Sequence, residues 1–204
     1  MKKKEFILIL LISIISFFTH IVFWSHPQEF VFDEVFFARF AQDYTQGSYF
    51  FDQHPPLGKL MLAGMSKIIG IEPYQAEFVI GERFVEPDVA VLRLLPIWAG
   101  ILLPLVIYGV SRQLKLSLMV SFFAAMLVVF ENSIIVQSRF ILLDAFLLLF
   151  GFSSLYFYLV SRSKHSLKLF AVSIILAAGA LSIKWTGATF LFLIFVIEAY
   201  KALP

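Results

Sequence analysis

The sequence predicts an all-α, polytopic membrane bundle, on three observations. The chain is 60% hydrophobic, with a mean hydropathy of +0.90 and only 15% charged residues, whereas soluble domains are about half apolar and a quarter charged. Apolar runs of membrane length recur along it. Its basic residues gather in alternate links between those runs. The 204 residues hold about five or six spans at roughly 20 residues each. The absence of Cys excludes disulfides, thiolate catalysis and Cys-bound zinc. The net charge of +2 carries little information, and no nucleic-acid partner is expected.

The first span is read as residues 6–24. Met1-Lys2-Lys3-Lys4 before an apolar run also fits the n- and h-regions of a signal peptide. The run is long enough to span, however, and no small-x-small cleavage site follows it. A long external loop, residues 25–91, comes next, then spans at 92–110, 116–130 and 140–160. The last apolar stretch, Leu169 to Tyr200, would reach about 48 Å as one helix, against roughly 30 Å of hydrocarbon. Lys184-Trp185-Thr186-Gly187 interrupts it, so a hairpin of two spans, 169–183 and 187–200, is predicted, with the tetrad at the outer surface. The alternative is a single tilted helix that buries Lys184. The whole chain is read as one membrane domain, residues 1–204.

Orientation follows from the positive-inside rule. Lys2, Lys3 and Lys4 place the N-terminus in the cytoplasm, and the links carrying Arg112/Lys115 and Arg162/Lys164/Lys168 fall on the same side by alternation. The long loop is then external. Within it, Glu34 to Tyr44 reads as an amphipathic interfacial helix. Leu57 to Ile69, after two prolines, reads as a second helix lying on the membrane, too short to cross it. Glu72 to Asp88 is acidic and turn-rich and reads as an exposed loop.

Ionisable groups at the edge of a membrane bundle are functional candidates by default. Asp33 and Glu34 are the first. Neighbours on a helix point about 100° apart, so the two carboxylates cannot aim at one atom; one suits a general base and the other a ligand or orienting group. The competing structural reading is an N-cap at Asp33. His54-Pro55-Pro56 forms a rigid turn and helix start, which accounts for the prolines but not for His54 or for Lys59, whose cation suits a phosphate. Arg93 and Arg139 both begin spans at the outer face, Glu131-Asn132 closes the span between them, and Asp144 lies about a turn below Arg139. An intramembrane Asp is costly and is expected to be paired. Arg139 is the expected partner, although an offset of five is not the favoured four. One face thus collects the acids Asp33, Glu34 and Glu131 with the cations Lys59, Arg93, Arg139 and Lys184. Proton-accepting acids beside phosphate-binding cations describe a transferase that uses a phosphate-linked donor.

Phe32-Asp33-Glu34-Val35, followed by Tyr49-Phe50-Phe51-Asp52-Gln53-His54-Pro55-Pro56-Leu57-Gly58-Lys59-Leu60, resembles the first external loop of protein O-mannosyltransferases. Arg93-Leu94-Leu95-Pro96, Gln137 to Asp144, and Ile183-Lys184-Trp185-Thr186-Gly187 resemble further blocks of that family, in its order. The resemblance implies the first half of a GT-C-type glycosyltransferase, which moves a sugar, here mannose, from a polyprenyl or dolichyl phosphate to a protein Ser or Thr on the non-cytoplasmic face. It also implies that Asp33 activates the acceptor hydroxyl with Glu34 as its functional neighbour, and that Arg93 is needed for activity. Lys184, Arg139, His54 and Lys59 are expected contacts to donor phosphate or acceptor, with Glu131 and Asp144 supporting them. Asp33, Glu34 and Glu131 leave room for a divalent metal, but no metal or other cofactor is predicted.

Family members carry further spans that complete the donor cavity. The chain is therefore expected to be a truncated or split form, with a second chain supplying the remaining spans, or else a non-catalytic binding or assembly module. A lipid or glycan acceptor in place of protein is the other alternative. The expected location is the plasma membrane in a prokaryote and the endoplasmic reticulum in a eukaryote.

Overall fold

The computed structural model describes residues 3–71, 78–84 and 87–202. Nine α-helices form among them: α1 (Lys3–Ile21), α2 (Glu34–Gln46), α3 (Leu57–Ile69), α4 (Leu94–Gln113), α5 (Leu118–Val129), α6 (Asn132–Arg139), α7 (Asp144–Lys164), α8 (Leu167–Ile183) and α9 (Ala188–Ala202). Two 3-10 segments, Pro87–Arg93 and Trp185–Gly187, lead into α4 and α9. The only β pairing among the described residues is an isolated bridge between Glu29 and Arg83. Eight of the seventeen residues of the predicted acidic loop from Glu72 to Asp88, Glu72, Glu77 and Glu86 among them, lie outside the described residues.

Local chemistry sets the helix ends. Ser117 Oγ and Ser166 Oγ accept from the amides of Val120 and Leu169, capping α5 and α8, and the Glu131 carboxylate caps α6 through the amide of Ile134. Gly47 and Gly70, both at φ 71°, end α2 and α3 in the left-handed conformation that glycine adopts without a Cβ penalty. Pro104 lies within α4; its missing N–H leaves the Gly100 carbonyl without its usual helical donor.

The long helices stand side by side. Glu5 and Arg112 meet at one end of the bundle, and Asp144 and Lys184 meet at the other. α7 and α8 are antiparallel neighbours, and α9 returns beside them, bringing Glu198 to Tyr158 and Arg162 of α7. Small residues permit close approach, as in membrane helix packing generally. A Cβ on Gly151 would overlap the Phe190 ring, and one on Gly187 would overlap the backbone of Ala180 and Leu181. Gly187→Ala is thus expected to force the α8–α9 turn apart at a cost of about 1–3 kcal/mol. A melting temperature several degrees lower in detergent would show it, and an unchanged one would contradict the packing.

Three helices are long and apolar enough to cross a membrane: Lys3–Ile21, Val89–Gln113 and Asp144–Lys164. α5 and α6 make a fourth if this pair, bent by 53°, is one span, and α8 is apolar but shorter. The sequence predicts one span over 116–130 and leaves residues 131–139 between spans; the short helix α6 forms there as an additional element. The main core lies at the Asp144 end. There Phe30, Val35 and Phe37 from the first loop and α2, Leu62 from α3, and Ile141, Leu143, Phe146 and Ile183 are all buried together. Part of the loop between α1 and α4 is therefore packed onto the bundle.

Candidate active site

Residues 31–34 form a tight turn that enters α2. The Glu34 amide donates to the Val31 carbonyl at 3.1 Å, and the Glu34 carboxylate accepts from the Val31 amide at 2.9 Å. Phe32, at φ 54°, occupies the left-handed region in this turn, where a bulky residue is uncommon and local strain tends to mark functional loops.

The turn puts the two acids in different surroundings. Glu34 is fully buried (0% exposed), as is Arg93 at the start of α4. Their bond is bidentate: Arg93 Nε donates to Glu34 Oε1 at 2.8 Å, and Nη2 to Oε2 at 2.7 Å. Arg93 also donates to the carbonyls of Pro27 (2.7 Å) and Glu29 (2.8 Å) and stacks between the rings of Phe84 and Phe140. Glu34 Oε1 accepts once more, from the Ile141 amide at 2.8 Å. One ion pair thereby joins the loop after α1, the start of α2, the start of α4 and the stretch of chain before α7. Paired charges this well supplied with hydrogen bonds are the kind a low-dielectric interior tolerates.

Asp33 is half-buried and occupies the N-cap position of α2, but its side chain makes no capping bond. Among the described residues its carboxylate has no hydrogen-bond or ion-pair partner, so the N-cap function does not account for it. By sequence Asp33 and Glu34 form a catalytic pair; the structure separates them into an uncommitted carboxylate and a buried anchor. Arg93 is corrected likewise. With its donors engaged inside the core, it holds Asp33's turn in place and does not face a donor phosphate.

Lys59 is also corrected as a phosphate contact. It is 2% exposed, its ammonium bonds the Asp52 carboxylate and the His54 carbonyl (2.7 Å), and it lies over the rings of Phe40 and Phe50. It closes the loop before α3, and nothing in the sequence singles out Asp52 as its partner. His54 remains unspent: its Nδ1 is buried without a hydrogen-bond partner among the described residues, and its ring lies 6.3 Å from that of Phe37, one turn after Asp33.

The expected Arg139–Asp144 pair is absent. Asp144, the first residue of α7, instead accepts through both oxygens from Lys184 Nζ at 2.8 Å. Beside it, Trp185 Nε1 donates to the Gln53 carbonyl at 2.8 Å, so the α8–α9 turn fastens α7 and the His54 loop together. Arg139 has no carboxylate partner among the described residues; one terminal nitrogen donates to the Val22 carbonyl and its Nε is buried without a partner. It stands two residues before Ile141, whose amide holds Glu34. Glu131 caps α6 and is exposed. Among the described residues no three acidic or histidine side chains gather to hold a metal ion.

The chain is thus a helical membrane bundle with an unpaired acid, Asp33, on a pinned loop at one end and a cation, Arg139, that has no carboxylate partner among the described residues; its fold is that of the GT-C class of membrane proteins. Residues 10–203 match the family model for dolichyl-phosphate-mannose-protein mannosyltransferase, and the chain belongs to that family. It is 37% identical over 163 residues to dolichyl-phosphate-mannose–protein mannosyltransferase 4 of Schizosaccharomyces pombe, covering 78% of this chain and 21% of that protein. It is 36% identical over 138 residues to protein O-mannosyltransferase 1 of Drosophila melanogaster, covering 67% of this chain and 16% of that one. The solved S. cerevisiae protein O-mannosyltransferase Pmt1-Pmt2 complex bound to the sugar donor matches with a TM-score of 0.91 at 29% identity, covering 98% of this chain and 28% of that one. The chain thus spans about a quarter or less of the proteins it matches.

Proposed function

We propose that this chain is the acceptor-activating part of a transferase that moves mannose from a polyprenyl or dolichyl phosphate to a protein Ser or Thr hydroxyl. The observation that carries the reading is the contrast within one dipeptide: Glu34 is locked to Arg93, while Asp33 beside it is half-buried and unpaired. In this scheme the acceptor oxygen attacks the anomeric carbon as the bond from that carbon to the phosphate oxygen breaks. The bonding pair leaves with the phosphate, and Asp33 takes the hydroxyl proton. Arg139 supplies positive charge toward the departing phosphate, and His54 contacts donor or acceptor. Lys184 and Asp144 position the His54 loop. The N-terminus is cytoplasmic, the Asp33 end faces outward, and α2 and α3 lie at the outer membrane interface. A further chain or segment completes the donor cavity.

The test is transfer of radiolabelled mannose from polyprenyl-phosphate-mannose to a Ser/Thr peptide, in membranes expressing the chain alone and together with the remaining spans of a family member. Transfer in either preparation, absent from membranes without the chain, is the expected result. No transfer in both would favour a non-catalytic binding or assembly module.

A further inference from the structure

At the end of the bundle opposite Asp33, α1, α4, α7 and α8 enclose a cavity of about 640 Å³. Its two ends differ in chemistry. Leu102, Leu149, Phe150 and Leu176 line the inner part, and Glu5, Arg112 and Gln113 stand at the mouth. Along α4 the cavity runs from Leu102 to Arg112, ten residues, or about 15 Å. That is the depth of one leaflet, half of a hydrocarbon core of roughly 30 Å.

Two polar groups point to an occupant. Tyr108 is 4% exposed, and its hydroxyl lies toward the Glu5 carboxylate without a hydrogen bond of good geometry among the described residues. An unpaired hydroxyl in apolar surroundings is costly unless a ligand satisfies it. Arg112 holds Glu5 through Nε at 3.4 Å and the Leu116 carbonyl through Nη1, which leaves Nη2 uncommitted among the described residues. Lys3, Lys4 and Lys115 are exposed around the same end, so the mouth carries net positive charge suited to an anionic group.

We propose that this cavity is a binding site for one glycerophospholipid of the leaflet at the Lys3–Arg112 end. Its phosphate meets Arg112 Nη2, an ester oxygen accepts from the Tyr108 hydroxyl, and one acyl chain fills the space between Leu102 and Leu176. A transmembrane helix fits the cavity poorly, because the cavity stops half-way through the membrane and is polar at one end only. The proposal is independent of the transfer chemistry.

The experiment is native mass spectrometry of the chain extracted from phosphatidylcholine/phosphatidylglycerol membranes into mild detergent. Wild type is compared with Tyr108→Phe, with Ser153→Trp, which fills the cavity, and with Phe123→Trp on the exposed face of α5. Wild type and Phe123→Trp are expected to retain one phospholipid. Tyr108→Phe should retain it about fivefold less well, the effect of one ordinary hydrogen bond, and Ser153→Trp should lose it. Circular dichroism confirms that each variant is folded. Equal retention in all four, or no phospholipid retained by the wild type, would overturn the site. So would a cross-link from Ser153→Cys, the chain's sole thiol once introduced, to another polypeptide in place of a photoactivatable acyl chain.

Discussion

Asp33→Asn is expected to abolish transfer while leaving the protein folded. The substitution is isosteric, and Asp33's carboxylate holds no other group among the described residues, so nothing in the core depends on its charge. An amide accepts no proton at neutral pH, and loss of a positioned general base lowers rate by roughly 10² to 10⁴. The expected pattern is a fall in kcat of that order in the mannose-transfer assay, with little change in KM for the peptide and a melting temperature within about a degree of wild type. Retained activity would remove Asp33 from the reaction. A large fall in melting temperature would show that the carboxylate carries a structural bond after all.

Arg93→Leu should produce the opposite pattern. It strands the Glu34 carboxylate in a fully buried setting and frees the carbonyls of Pro27 and Glu29. Breaking one side of a buried pair typically costs about 3–5 kcal/mol. Activity is expected to disappear together with stability, measured as a loss of protection from proteolysis between residues 22 and 34. The double variant Glu34→Met/Arg93→Leu discriminates further, since replacing both charges by apolar groups can be nearly neutral for folding. If the pair only positions Asp33, that variant recovers stability and part of the activity. If Arg93 contacted the phosphate directly, stability alone would recover.

The all-helical fold was legible because the bilayer as solvent leaves few choices: long apolar runs must become helices, and the last such run breaks at Lys184-Trp185-Thr186-Gly187, between α8 and α9. The short helix α6 was not legible, since eight residues with Gln137 and Ser138 give no apolar period. The pairing of Asp144 failed for a related reason. Arg139 was the near choice in sequence, yet the charge that reaches Asp144 lies forty residues on at Lys184, a distance only the tertiary fold closes. Lys59 and Arg93 resemble phosphate ligands by residue type. Burial decides otherwise, and no feature of the sequence around them shows which cations end inside. The division of labour between Asp33 and Glu34 was half visible: helical geometry required different directions, but the inward one depended on where Arg93 and Ile141 stand.

The bond network at Glu34 also orders events during synthesis. Its last contributor is the amide of Ile141, more than a hundred residues after the acid it holds. A nascent chain that holds only α1 and the Asp33 turn still lacks Arg93, then lacks Ile141, and the Glu34 carboxylate has only the Val31 amide of its own turn as a partner. The turn that carries Asp33 is therefore not yet tied to the rest of the bundle while only the early helices are made. The last bond to Glu34 forms only when the start of α7 has been made and docks, so fixing this turn is a late step in assembling the described residues.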